Sequence, residues 1–268
     1  MQIQSTIIQE KNVRYSIEGE GDTIVLLHGF IERIEIWEEF SSELSKTNKV
    51  VCIELPGHGD SDVIDEIQTM EKIAGFIHQL ILQIEITNYV MIGHSMGGYI
   101  ALAYAEKYED ELCGVGLFHS NALADSDDAK IDRGRAVEII KQDKDGFIFN
   151  FIPKLFAECN EEGLLDKIKW LQSGAKKMSK ESLISCIKGM SLRSDKITFL
   201  LSTNLPMMFI LGKEDIRIPL NSVVAQSMLP KHSETLILGD CGHMGYLEKP
   251  IETLNFIRSF TKNCQGKS

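Results

Sequence analysis

Gly93-His94-Ser95-Met96-Gly97-Gly98 is the stretch on which the reading of this chain turns. An apolar, β-rich run enters it over residues 89–92, and a helical pattern leaves it over 98–108. In so tight a strand-to-helix reversal the central serine is held at strained dihedrals. Side chains two residues to either side would collide, which is why glycine is needed there. Such a turn lifts the Ser95 hydroxyl clear of the sheet. It also brings the N-terminus of a helix, with its free N–H groups and positive dipole end, under any oxyanion that forms. By itself G-x-S-x-G is a weak signal. A glycine-rich turn with an incidental serine gives the same letters, and a phosphate-binding turn is a further rival, although neither G-K-[ST] nor G-x-G-x-x-G is present.

Outward from this turn, short apolar runs at 24–28, 50–55, 112–118, 207–211 and 235–238 read as strands buried on both faces. Helical patterns at 36–45, 69–84, 220–228 and 251–261 fall between or after them, with Pro250 just inside the start of the last. Partial alternation at 3–9 and 13–18 predicts an antiparallel pair at the sheet edge, turning near Glu10-Lys11-Asn12. Strand alternating with helix gives an α/β fold: a mostly parallel central sheet flanked by helices. The alternation stops between 121 and 200, where only amphipathic helices are predicted, at 129–142, 146–158, 164–178 and 180–192. We therefore expect a core formed by 1–120 and 201–268, with a helical cap, 121–200, inserted over the sheet edge. Most of the cap's aromatic and Met side chains should pack internally, and a few should line a pocket.

Three further motifs supply partners for the serine. Leu26-Leu27-His28-Gly29-Phe30 ends an early strand, where the backbone N–H of Phe30 can join that of Met96 as an oxyanion donor; His28 reads as structural. Leu211-Gly212-Lys213-Glu214-Asp215 follows another strand, and a carboxylate there can reach an imidazole across the strand ends; Glu214 and Asp125 are the competitors. Cys241-Gly242-His243-Met244-Gly245 places a glycine-flanked histidine between the last strand and the last helix. Of the seven histidines, His94 should be turned away by the elbow, and His58, His78, His119 and His232 lack a matching carboxylate in sequence. His243 completes the order Ser95…Asp215…His243. Cys241-x-His243 also has the spacing of half a metal site, but no partner pair is evident.

These residues resemble the α/β-hydrolase family over essentially the whole chain. Glu54-Leu55-Pro56-Gly57-His58-Gly59-Asp60-Ser61 is similar to the family's D-x-P-G-x-G-x-S loop, with Glu54 where Asp is usual; that loop is mainly structural. The combination resembles the lidded serine esterases and lactonases and the meta-cleavage C–C hydrolases. The resemblance implies a Ser95 nucleophile, a His243 base and an Asp215 orienting acid, with no metal and no organic cofactor. The expected reaction is hydrolysis of a carboxylic ester, lactone or thioester of a small to medium, mostly apolar substrate through an acyl-enzyme. C–C bond hydrolysis and a non-catalytic ligand receptor are the alternatives. Relatives with an aspartate nucleophile, the haloalkane dehalogenases and epoxide hydrolases, are excluded by Ser95. Phe30, Met96, Met244 and the cap aromatics suggest an apolar pocket.

Bulk properties agree. The 268 residues are 43% hydrophobic and 25% charged, ample for a large core, and the net charge of -11 argues against nucleic-acid and anionic membrane partners. Lys176-Lys177 is too short to be a basic patch. No signal peptide and no apolar run of spanning length is visible. The six cysteines, scattered without CxxC spacing, are expected to be reduced thiols in a cytoplasmic protein, monomeric or homodimeric. The Gln265-Gly266-Lys267-Ser268 tail should fray.

Overall fold

The strands of the computed structural model are β1 (Ile3–Ile8), β2 (Lys11–Glu18), β3 (Thr23–Leu27), β4 (Lys49–Ile53), β5 (Tyr89–His94), β6 (Leu112–Phe118), β7 (Met207–Gly212) and β8 (Ser233–Leu238). The structure describes residues 1–265, so 266–268, most of the tail expected to fray, lie outside the described residues. The strands join in one sheet in the order β1-β2-β4-β3-β5-β6-β7-β8. β1 pairs antiparallel with β2, and β2 antiparallel with β4; every other pairing is parallel. The expected edge hairpin is present, and its turn is made by Gln9 and Glu10, both at positive φ.

Burial explains the strand patterns. β3 and β5 are buried at every residue, having helices on both faces, whereas β8 at the sheet edge alternates exposed and half-buried positions. The covering helices are α1 (Glu38–Leu44), α2 (Met70–Gln83) and α3 (Met96–Lys107). Thr69 caps α2 by accepting from Lys72 N. A 3₁₀ turn, Ile34–Trp37, precedes α1 and drives Trp37 fully into the core, between Phe40, Phe118 and Tyr246.

Between β6 and β7 the described chain is helical: α4 (Asp127–Phe151), α5 (Glu158–Glu161), α6 (Leu165–Ala175), α7 (Lys180–Ser191) and α8 (Ile197–Ser202). Two helices were expected at 129–142 and 146–158, and α4 is indeed broken at Asp143, whose backbone is extended (φ -143, ψ 84). The second half stops at Phe151 rather than 158. Pro153 has no N–H to continue the ladder and opens a 3₁₀ turn instead. α5 and α8, one turn or so each, were not expected. α7 lies on the 56–68 loop: Ser182 Oγ donates to Gly57 O, Gln68 N donates to Ser185 Oγ at 3.2 Å, and a Cβ on Gly189 would meet Gln68 O at 1.8 Å. The chain closes with α9 (Leu220–Ser227), the short α10 (Gly245–Glu248) and α11 (Pro250–Gln265). Among the described residues no helix is long and apolar enough to cross a membrane. Cys52, Cys113, Cys159, Cys186 and Cys241 are free thiols.

Candidate active site

β5 runs to His94 and α3 starts at Met96, leaving Ser95 alone at the reversal with φ 50 and ψ -116. The glycines around it are sterically required. A Cβ on Gly93 would lie 2.1 Å from the Gly97 carbonyl, and one on Gly97 would lie 2.5 Å from Leu27 O, backbone contacts that cannot yield. A Cβ on Gly98 would meet Ser120 at 2.5 Å. The hydrogen bonds of Ser95 are backbone ones: N to Phe118 O at 2.9 Å, and O from Ser120 Oγ at 2.8 Å and from Gly98 N at 2.9 Å. Its hydroxyl is therefore free among the described residues, at the wall of a cavity of about 570 Å³ that His243 also lines.

Asp215 leaves the end of β7 and His243 follows β8, so neighbouring strands deliver both to the same sheet edge. His243 Nδ1 donates to Asp215 Oδ2 at 2.8 Å, while Asp215 Oδ1 accepts from Arg217 N at 2.8 Å and Ile218 N at 3.0 Å. Burial pushes the Asp215 carboxyl up, but the neighbouring imidazoles and these hydrogen bonds outweigh it and hold the group far below the usual carboxylate range. His243 N donates to Leu155 O at 2.7 Å, tying this loop to the helical segment above. Of the competitors, Glu214 is exposed, and Asp125 is engaged by Arg133 and Arg193.

Two features escaped sequence reasoning. His119, set aside for want of a carboxylate, has one: its Nδ1 donates to Asp215 Oδ2 at 3.2 Å, so two imidazoles share one oxygen. It is fully buried at the end of β6 with φ 49, and its Nε2 has no partner among the described residues. Burial outweighs Asp215 and lowers its pKa, keeping the ring neutral. The backbone of Gly245 presses on that ring, since a Cβ there would meet Nε2 at 2.4 Å.

The second feature is Glu32, buried beneath the 28–30 loop. It accepts from Gly29 N, from Tyr246 Oη at 3.2 Å and from His94 Nδ1 at 3.1 Å. His94 Nε2 meets His243 O at 2.8 Å. Both ring nitrogens thus face acceptors, and only an imidazolium can donate to both. Burial works against each charge in this pair, but their attraction prevails: Glu32 lies below its ordinary range and His94 above its own. His94 is not among the residues lining the cavity, yet it binds the backbone of the His243 loop.

Neither the Phe30 N–H nor the Met96 N–H has a hydrogen-bond partner among the described residues. The Phe30 ring lines the cavity; the Met96 and Met244 side chains are fully buried beneath it and do not shape it. His28 is structural, accepting from Leu55 N at 3.0 Å, and burial lowers it to about 4. His58 packs on it and is lowered to about 3 by burial, whereas His78 pairs with Glu111 at 2.8 Å on the far side of the sheet's helices. Glu54 is buried, accepts from Asp60 N at 2.9 Å and pairs with Arg14, as a structural loop residue should. Cys241 is buried beside Glu248, and its thiol is pushed up by burial, away from the thiolate a metal would need. Among the described residues, His119, Asp215 and His243 form the group whose ligand-type atoms converge, all within 4.8 Å. Both imidazoles spend Nδ1 on the carboxylate, the geometry of a hydrogen-bonded relay.

The sequence signature of the alpha/beta hydrolase fold matches residues 22–158. The chain belongs to the α/β-hydrolase fold family. The chain is 23% identical, over 97% of its length and 82% of the relative's, to the monoacylglycerol lipase ABHD6 of Rattus norvegicus. Among solved structures, a thermophilic esterase from Thermogutta terrifontis, malate bound, superimposes with a TM-score of 0.91 at 27% identity, covering 98% of this chain and 99% of that one. The enol-lactonase from Burkholderia xenovorans LB400 does so with a TM-score of 0.89 at 20% identity, covering 96% and 99%.

Proposed function

We propose that this ester-bond hydrolase works through a Ser95 nucleophile, a His243 general base and an Asp215 orienting acid. The observation that carries the reading is the 2.8 Å contact of His243 Nδ1 with buried, ionised Asp215, in a cavity onto which the Ser95 hydroxyl also opens. With Nδ1 protonated, His243 Nε2 is the basic nitrogen and takes the Ser95 proton as Oγ attacks the ester carbonyl. The tetrahedral oxyanion accepts from the unpartnered N–H groups of Phe30 and Met96. His243 then returns the proton to the leaving alkoxide, releasing the alcohol and leaving an acyl-enzyme. Water, deprotonated by the same nitrogen, frees the acid and restores Ser95. Asp215 stays ionised throughout. Serine–histidine hydrogen bonds of this kind often tighten only around substrate. Residues 121–200 act as the cap, since α4 and α7 supply Arg133, Phe147, Phe151, Ile187 and Met190 to the cavity lining.

The similarity to a lipase, an esterase and an enol-lactonase supports ester or lactone cleavage. Free thiols at Cys52, Cys113, Cys159, Cys186 and Cys241 fit a reducing, cytoplasmic setting. A chromogenic ester panel of graded acyl length, run beside Ser95→Ala, tests the reading. Turnover by the parent chain that vanishes in the variant is expected. Undiminished turnover by Ser95→Ala would refute the mechanism, and binding without turnover across the panel would favour a receptor.

A further inference from the structure

We infer that the cavity contains a carboxylate-binding subsite at Arg217 and that the preferred substrate is an ester bearing a second, anionic group. The inference rests on the proposed function only in placing the ester itself at Ser95. It revises the expectation of a mostly apolar substrate.

Three guanidinium groups line the cavity: Arg133, Arg193 and Arg217. Arg193 is fully engaged. It donates to Asp125, to Leu123 O at 3.0 Å and to Met190 O at 3.1 Å, and stacks on Tyr99. Arg133 shares Asp125 with it and turns its remaining Nη1 toward the thioether of Met190 at 3.5 Å, a weak acceptor. Arg217 has no ion-pair partner among the described residues; its guanidinium lies over the Phe151 ring at 4.3 Å.

The acids lining the same cavity are spent elsewhere. Asp125 serves two arginines, exposed Asp132 pairs with Arg135 at 2.8 Å, and Glu32 holds His94. Arg217 is therefore the lining guanidinium left without a carboxylate partner among the described residues, in a chain whose net charge is -11. Burial makes the Arg217 cation harder to hold; Asp215 eases it, by more than the like charge of Arg133 opposes it. A ligand carboxylate would offset the burial of this unpaired cation and match the guanidinium fork with two parallel hydrogen bonds. Phe151 meets Phe30, next to the proposed oxyanion donors, at 6.3 Å and stacks on Phe147 at 5.2 Å. An apolar spacer thus lies between ester carbonyl and anion: the apolar surface expected from the sequence is the middle of the site, and its far end is cationic.

The test reads binding on Ser95→Ala, so it does not depend on turnover. Calorimetry compares monomethyl glutarate and monomethyl adipate with their dimethyl esters, and acetoxyacetate with its methyl ester to place the anion on the alcohol side. At least one anionic ester should bind roughly ten- to hundredfold more tightly than its neutral partner. Adding Arg217→Gln should erase the preference, and raising salt should shrink it. Equal affinity within every pair, no binding by any anionic ester, or a preference that survives Arg217→Gln would overturn the subsite. If the subsite is present but the chromogenic panel shows no turnover, the proposed function fails and the subsite stands.

Discussion

At the floor of the cavity Ser95 stands between Gly93 and Gly97, where an added Cβ would strike backbone at 2.1 and 2.5 Å, and the acid and imidazole beside it are buried and hydrogen-bonded. At the roof, Arg133 is held by its fork to Asp125, Arg193 by Asp125, two backbone carbonyls and the face of Tyr99, and Arg217, from the loop after β7, by the face of Phe151. Floor geometry is imposed by main-chain sterics and cannot drift by an ångström without breaking the elbow. Roof geometry is imposed by long, flexible side chains and can be re-aimed by single substitutions. On the two proposals above, the difference separates what the site does from what it does it to: the backbone turns bear on the reaction, and the arginine side chains bear on which ester is chosen.

The comparison breaks most sharply at Asp215. Asp215→Asn keeps the shape but removes the charge and favours the wrong His243 tautomer, so kcat for a chromogenic ester should fall by about 10⁴ while the protein stays folded. A fall of less than tenfold would show that the floor does not depend on this carboxylate.

Glu32→Gln probes the buried pair beneath the 28–30 loop. Removing one partner of a buried pair costs about 3 kcal/mol or more of stability, read by urea denaturation. The pH dependence follows from the two shifts. Glu32 is depressed, so its contribution is present above the ordinary carboxylate range and is lost as pH falls through its folded pKa. His94 is raised, so its contribution is complete below about 6.5 and is lost as pH rises through its folded pKa. The gap between parent and variant should therefore be widest between about pH 4.5 and 6.5 and narrow on both sides. A gap that grows steadily toward pH 9 would contradict the imidazolium assignment.

His119→Asn is the subtler probe of the floor. It removes the second donor to Asp215 Oδ2 while leaving His243 in place. Because a hydrogen bond to a charged group is involved, kcat should drop by roughly tenfold, with KM little changed. An effect on KM alone would mark His119 as packing and nothing more.

The floor was largely legible in sequence because its constraints are local. Gly93, Gly97 and Gly98 flank Ser95, and Asp215 and His243 each follow a strand in the order the fold requires. What stayed hidden is contact at a distance. Glu32 lies within Ile31-Glu32-Arg33, reads as a surface acid, and meets His94 only 62 residues later. His119 finds its carboxylate 96 residues away, so a search for nearby acids could not succeed. Met96 and Met244, expected to shape the pocket, sit next to it in sequence but point into the core, because the elbow and the histidine loop rotate alternate side chains to opposite sides. In the roof the pattern showed helices but not their ends. Pro153 cut one short, and the cationic rim was invisible because Arg133, Arg193 and Arg217 converge from separate elements.

The smallest expected effect lies at the break in α4. Asp143 has extended dihedrals, and its Oδ1 accepts from Gly146 N at 2.8 Å, three residues on. That is the geometry of an N-cap, so α4 is two helices joined at a capping aspartate. Gly146 accommodates the cap closely, since a Cβ there would crowd the Asp143 carboxylate. Asp143→Ala removes the acceptor at an exposed position and should cost about 1 kcal/mol, a fall in Tm of about 2–4 °C for a chain of this size. Asp143→Asn and Asp143→Ser retain an acceptor and should restore most of it. The residue touches neither the cavity nor the sheet edge, so kcat should follow the parent. If kcat dropped with Tm, the roof would be coupled to the floor through α4, and selectivity and reaction would not be separable as the two regions imply.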